Sequence, residues 1–240
     1  MRIAVLADVH GNLVALEAVL RDIAARGAEG ILHLGDLVGY GPRPDEVVGR
    51  LCAEGVSGVV GDHDLALCDP DPEDRWRRDP AAPAPSLALQ SCLWARARVR
   101  DETLSHLRSL PARIEIAEGD TAFLFTHASP ASPFEALSDH TPEERLLAIF
   151  EATRAHVIVV GHTHTPGARA LGGRVILNPG SAGMPWGCDP RASYLMLDTE
   201  NGLVVEHIRV EFDVETAARE SVTSGLPAEL ADALRLGQRV

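Results

Sequence analysis

Short apolar runs punctuate the chain, and each of them stops at a charged or imidazole side chain. Residues 3–7 run into Asp8, residues 30–34 into Gly35-Asp36, and Val59-Val60 into Gly61-Asp62. Residues 122–126 run into His127, and residues 157–160 into Gly161-His162. Runs of this length read as buried strands. Between the first of them, residues 13–26 carry apolar positions at helical spacing and are followed by Gly27, a suitable C-cap. Residues 44–54, 86–98 and 103–110 read as further helices. The second half is richer in strands, at 113–117, 122–126, 157–160, 175–177, 194–197 and 203–210, and closes with helices over 214–224 and 227–236. Residues 69–85, rich in Pro, Asp and Arg, read as a surface excursion that leads through 101 into a helix near the strand ends. Alternating strands and helices predict an α/β fold. A chain of 240 residues without internal repeats predicts one domain over 1–240.

Composition narrows the functional classes. The formal charge of −13, with every basic residue an arginine, argues against general affinity for a nucleic-acid backbone. It does not exclude a phosphorylated substrate, because bound divalent ions reverse the local sign. Aromatic residues make up 4%, so the core must be built from Ala, Val, Leu and Ile. Cys52, Cys68, Cys92 and Cys188 form no C-x-x-C pair, which predicts a reducing compartment and no structural zinc site. The first apolar run is too short for a signal sequence, and no run reaches membrane-spanning length. The expected location is cytoplasmic, with no membrane partner.

The side chains at the strand ends carry the chemistry. Asp8, His10, Asp36, Asp62, His127, His162 and His164 combine hard carboxylate oxygens with imidazole nitrogens. That donor set suits divalent transition ions, and its size suits two of them. Asp8 with His10, and His162 with His164, are two residues apart; in an extended segment each pair points to one side and can close on one metal region. Glycine precedes Asp36, Asp62 and His162, as a crowded strand end requires. Any one such Asp or His is more often a cap or a surface group than a ligand. Their joint occurrence at successive strand ends reverses that expectation.

The ordered set D-x-H, G-D, G-[N/D]-H-[D/E], a lone His and G-H-x-H resembles the calcineurin-like metallophosphoesterase superfamily. The stretch from Gly35 to Pro42, Gly-Asp-Leu-Val-Gly-Tyr-Gly-Pro, is similar to a small bacterial and archaeal branch, as is Asn178-Pro179-Gly180-Ser181. The chain departs from the family at Asp62, where the pattern has an Asn that ligates through its neutral carbonyl oxygen.

The resemblance implies a four-layer α-β-β-α sandwich of two mixed sheets flanked by helices, with the metal site at the strand ends. It assigns Asp8, His10, Asp36 and His164 to one divalent ion (Mn, Fe, Ni, Co or Zn). Asp36 is shared with a second ion, which also takes Asp62, His127 and His162. The implied reaction is in-line hydrolysis of a phosphomonoester or phosphodiester by a bridging hydroxide. His63 would protonate the leaving oxygen, with Asp36 or another carboxylate orienting its ring. Asn12 and Arg191 are candidate substrate contacts, Arg191 alternatively a surface salt bridge. Asp64 either orients His63 or caps the helix that follows. The expected substrate is a small phosphorylated compound, a nucleotide among them, and a homo-oligomer is compatible with the sequence. A weakly active or inactive scaffold of the same fold is the alternative reading, and a hydrolase of another bond a third.

Overall fold

The computed structural model describes residues 1–71 and 86–239; most of the excursion expected at 69–85 lies outside them. Among the described residues ten strands form two five-stranded mixed sheets. The first has the order β10-β9-β1-β2-β3, with β1 (Arg2–Leu6), β2 (Gly30–His33), β3 (Ser57–Gly58), β9 (Ala192–Asp198) and β10 (Val204–Val210). The second has the order β4-β5-β6-β8-β7, with β4 (Arg113–Glu118), β5 (Thr121–Thr126), β6 (Val157–Val159), β7 (Pro166–Leu171) and β8 (Arg174–Pro179). β1 pairs parallel to β2, and β5 and β8 pair parallel to β6; β9 runs antiparallel to β1.

Alternation along the strands builds the layers. Ile3 and Val5 of β1 meet Phe123, Phe125, Val157 and Val159 of the second sheet in a dry core between the sheets. Ala4 and Leu6 face the other way. They pack under α1 (Leu13–Ala25) and α2 (Pro44–Ala53), with α3 (Asp62–Cys68), α4 (Leu87–Arg96) and α5 (Asp101–Ser109) extending that layer. Leu124, Ile158 and Ile176 turn outward from the second sheet onto Leu146, Ile149 and Phe150 of α6 (Glu143–Thr153). Helices α7 (Val214–Thr223) and α8 (Ala228–Leu236) form a further cluster with Tyr40 and Met184. The result is the four-layer α-β-β-α arrangement expected. Among the described residues, no helix is long and apolar enough to cross a membrane.

Three local differences from the sequence reading have physical reasons. Strand β3 ends at Gly58, and Val59 and Val60 continue it by bonding to His33 O (3.1 Å) and Pro111 O (2.9 Å) rather than to one partner strand. Helix α6 and strand β7 are additions to the elements read from the pattern. The apolar stripe of α6 is short, and β7 is a half-exposed edge strand with little hydrophobic signature.

Candidate metal centre

The parallel strands β1, β2, β5 and β6 end at one rim of the sandwich, and the loops beyond them carry the candidate ligands. Their backbone there is not extended. Asp8, His10, Asp36, His162 and His164 all have φ between 49° and 67°. Non-glycine residues rarely adopt this left-handed region, and five clustered at one site mark a centre where the surrounding fold overrides local preference. The two-residue spacing therefore works differently from strand alternation. Left-handed turns place Asp8 and His10 in one group of ligand atoms, whereas His162 and His164 separate into two.

Those groups are Asp8, His10, Asp36 and His164 on one side and Asp62, His127 and His162 on the other, with each group's ligand atoms within 4.8 Å of one another. Asp36 lies between the groups: its Oδ2 is 3.5 Å from His10 Nε2 and 3.6 Å from His127 Nε2. The loops also require glycine. A Cβ on Gly61 would lie 2.1 Å from Asp36 Oδ1.

Backbone carbonyls fix three of the imidazoles. His10 Nδ1 donates to Val38 O at 3.0 Å, His127 Nδ1 to Leu34 O at 2.8 Å, and His164 Nδ1 to Met184 O at 2.6 Å. A carbonyl only accepts, so each ring carries its proton on Nδ1 and turns an Nε2 lone pair inward. The Nε2 atoms of His10 and His164 then face each other 3.0 Å apart. His127 Nε2 faces Asp62 Oδ1 at 2.8 Å, and His162 Nδ1 approaches the same oxygen at 2.9 Å. The facing acceptors of His10 and His164 repel unless a cation stands between them, and Asp62 converges with two imidazoles beside them, so the donor set fits divalent metal ions.

The electrostatics agree. Burial raises the Asp8 carboxyl to about 7, with His127 and His162 pulling against it. Burial, then the neighbouring Asp62, holds Asp36 well above the carboxylate range. Burial holds His10 and His164 well below the ordinary imidazole value. At Asp62 burial pushes up but His162 and His127 prevail, leaving it well below its usual value. At His127 burial pushes down, and Asp36, Asp62 and Asp8 overcome it. Three buried carboxylates thus compete for positive charge.

The other candidates fall into place around this centre. His63 lies within 4.8 Å of Asp36 and Asp62 by ligand atoms. Its ring stands 4.8 Å from that of His10 and 4.7 Å from that of Tyr40, and a Cβ on Gly39 would come within 2.4 Å of its Nδ1. Burial lowers the His63 imidazole to about 4, partly offset by Asp62. Asp36 accepts the backbone N–H of His63 at 2.9 Å, so it holds the chain at His63. Asp64 performs the capping role and a second one besides. Its Oδ2 accepts from Gly61 N and Asp36 N, and its Oδ1 from Leu37 N and Val38 N, which joins the third motif to the second.

Asn12 caps α1 by accepting from Ala15 N and donates to Gly183 O at 2.7 Å, so its amide is engaged in structure. Arg191 is exposed and forks onto Asp189 at 3.0 and 2.8 Å, the salt bridge of the two readings offered by the sequence. Asn178 and Ser181 act as braces: Asn178 donates to Gly161 O and Thr163 Oγ1, and Ser181 donates to Asp8 O. Trp186 is an addition to the sequence-derived set. It stacks on His164 with centroids 3.9 Å apart, and its place in a loop of Gly and Pro gave no periodic signal.

Comparison with known proteins sets this geometry in a family. The calcineurin-like phosphoesterase superfamily domain matches residues 1–202. An uncharacterized protein of Methanocaldococcus jannaschii, MJ0912, is 33% identical over 98% of both chains. The phosphodiesterase YfcE of Escherichia coli K12 is 30% identical over 83% of this chain and 89% of its own. The crystal structure of a metallophosphoesterase from Sphaerobacter thermophilus superposes with a TM-score of 0.78 at 32% identity, covering 99% of this chain and 100% of the other. Strand-end carboxylates and imidazoles in this order, on this fold, have one consistent reading: the chain belongs to the calcineurin-like phosphoesterase superfamily and is a metallophosphoesterase.

Proposed function

We propose that the protein hydrolyses a phosphomonoester or phosphodiester of a small molecule with two divalent ions. The observation that carries this is the pair of ligand groups joined through Asp36, with inward Nε2 lone pairs fixed by backbone carbonyls. Asp8, His10, Asp36 and His164 would hold one ion, and Asp62, His127 and His162, with Asp36 between the groups, would hold the other. When bound, the ions supply Lewis acidity to the phosphoryl oxygens and the attacking water.

The side chains do the rest. Val38, Leu34 and Met184 carbonyls keep the imidazoles oriented, so little reorganisation accompanies the reaction. His63 gives a proton to the leaving oxygen. Its imidazole is neutral at pH 7 in the free protein, and an anionic phosphate arriving beside it raises its proton affinity. Gly39 and Tyr40 confine the ring.

Metal analysis together with a screen of phosphorylated compounds tests the reading. Two ions per chain are expected, with activity abolished by a chelator and restored by Mn²⁺ or a similar ion. Asp36→Ala should lower both occupancies and His10→Ala mainly one. A single firmly bound ion at saturation overturns the two-ion assignment. Absence of turnover by metal-loaded protein across both monoesters and diesters turns the reading to a scaffold.

A further inference from the structure

Arginine 239 lies beyond the family-matching part of the chain, yet the fold returns it to the centre. Helix α8 ends at Gly237, whose φ is +59°. Gly237 N bonds to Leu234 O, and Gln238 N to Ala233 O, the paired bonds of a left-handed C-cap. The turn is then pinned against the loop that carries Trp186: Cys188 N donates to Gly237 O at 2.8 Å, and a Cβ on Gly237 would meet the Asp189 backbone at 2.6–2.7 Å. With the turn so placed, the Arg239 guanidinium lies over Trp186, 5.4 Å from the ring centroid. Trp186 in turn stacks on the candidate ligand His164.

Other arginines near these loops are paired with carboxylates. Arg43 forks onto Glu220 at 2.7 and 2.8 Å, and Arg191 and Arg209 share Asp189. Among the described residues no carboxylate pairs with Arg239, which is exposed and keeps its donors for an anion. The guanidinium is thus linked to the candidate ligand His164 through one intervening ring, that of Trp186.

We propose that Arg239 is a specificity-determining residue that binds a second anionic group, a phosphate or a carboxylate, carried by the substrate apart from the reacting phosphoryl group. Trp186 holds the guanidinium by cation–π contact and leaves its N–H edges for the anion. This rests on the phosphoesterase reading and names the class of ester within it.

The test compares wild type, Arg239→Gln and Arg239→Lys on four compounds. These are 4-nitrophenyl phosphate, a nucleoside 5′-monophosphate, the corresponding 3′,5′-bisphosphate, and 3-phosphoglycerate. Loss of a charge-assisted bond should lower kcat/KM for a doubly anionic substrate by about ten- to a hundredfold more than for 4-nitrophenyl phosphate. Lysine should recover part of the loss. A selective loss on the bisphosphate identifies a phosphate as the second group, and on phosphoglycerate a carboxylate. Calorimetric titration of the bisphosphate and the monophosphate into each protein gives a readout independent of turnover. If no compound is hydrolysed by wild type, the monoester form of the phosphoesterase reading fails while the binding comparison still decides on Arg239. Equal losses on all four compounds, or preferences for the bisphosphate and for phosphoglycerate that are both unchanged in Arg239→Gln, overturn the proposal.

Discussion

Replacing Asp64 by Asn should unfasten the centre without touching a ligand. Both carboxylate oxygens of Asp64 are fully used as acceptors, from Asp36 N (2.9 Å) and Gly61 N (3.0 Å) on one and Leu37 N (2.9 Å) and Val38 N (3.3 Å) on the other. Burial pushes its carboxyl up, and the N–H groups of Gly61, Val38 and Leu37 act against that. An asparagine keeps one oxygen and turns an NH₂ toward the other two donors, leaving them buried and unpaired. Each such donor costs about 1–3 kcal/mol, so the expected loss is roughly 2–6 kcal/mol. That is a large part of the roughly 5–15 kcal/mol that separates folded from unfolded states. Urea unfolding in excess chelator isolates the fold from metal binding, and a loss of about 3 kcal/mol lowers the midpoint by about 1 M or more. Because Asp36 and Leu37 are held by these bonds, metal affinity and kcat/KM should fall as well. An Asn variant with the wild-type midpoint and activity refutes the reasoning. A variant of unchanged stability whose dependence on the leaving group is altered would show Asp64 acting through His63.

Three further outcomes are expected. Asp62→Asn removes one negative charge from between His127 and His162; it should loosen the second ion, speed turnover at neutral pH and move the activity optimum lower, and pH–rate profiles showing no gain at pH 7 with unchanged metal affinity would count against the charge argument. His63→Ala should lower kcat by roughly a hundredfold with metal content near normal, and the loss should shrink for nitrophenolate leaving groups; an equal loss for good and poor leaving groups means that His63 binds phosphate instead. Burial lowers buried His33 from an ordinary 6.5 to about 3. Unfolding therefore takes up a proton below 6.5, and stability that is complete well above that pH declines as pH falls toward 3, by about 2 kcal/mol between 6.5 and 4.5. His33→Asn, whose amide oxygen can replace Nδ1 as acceptor from Gly35 N, should flatten that slope; parallel slopes for the two proteins would exclude His33 as its source.

The sequence by itself determined most of the strands and the chemical inventory, and the layers came through resemblance. Strand runs that stop at Asp8, Asp36, His127 and His162 are local facts of hydrophobicity, and a run of four or five apolar residues has few places to go except a buried strand. The ordered motifs then supplied the ligand types and, through resemblance, their partition. Tertiary structure decided what the side chains do. The left-handed backbone at Asp8, His10, Asp36, His162 and His164 is imposed by packed loops, and no pattern of residue types encodes it. Asp64 braces two motifs because its acceptors meet N–H groups 26 to 28 residues away. Asn12 and Arg191 were chemically eligible for a substrate, and their partners Gly183 and Asp189 engage them elsewhere. Helix α6 escaped a pattern reading because a stripe as short as Leu146, Ile149 and Phe150 gains its stability from the sheet beneath it rather than from its own periodicity. Arg239 and Trp186 meet only because Gly237 turns the chain back onto a loop some fifty residues earlier in sequence, a contact fixed by long-range packing and invisible along the chain.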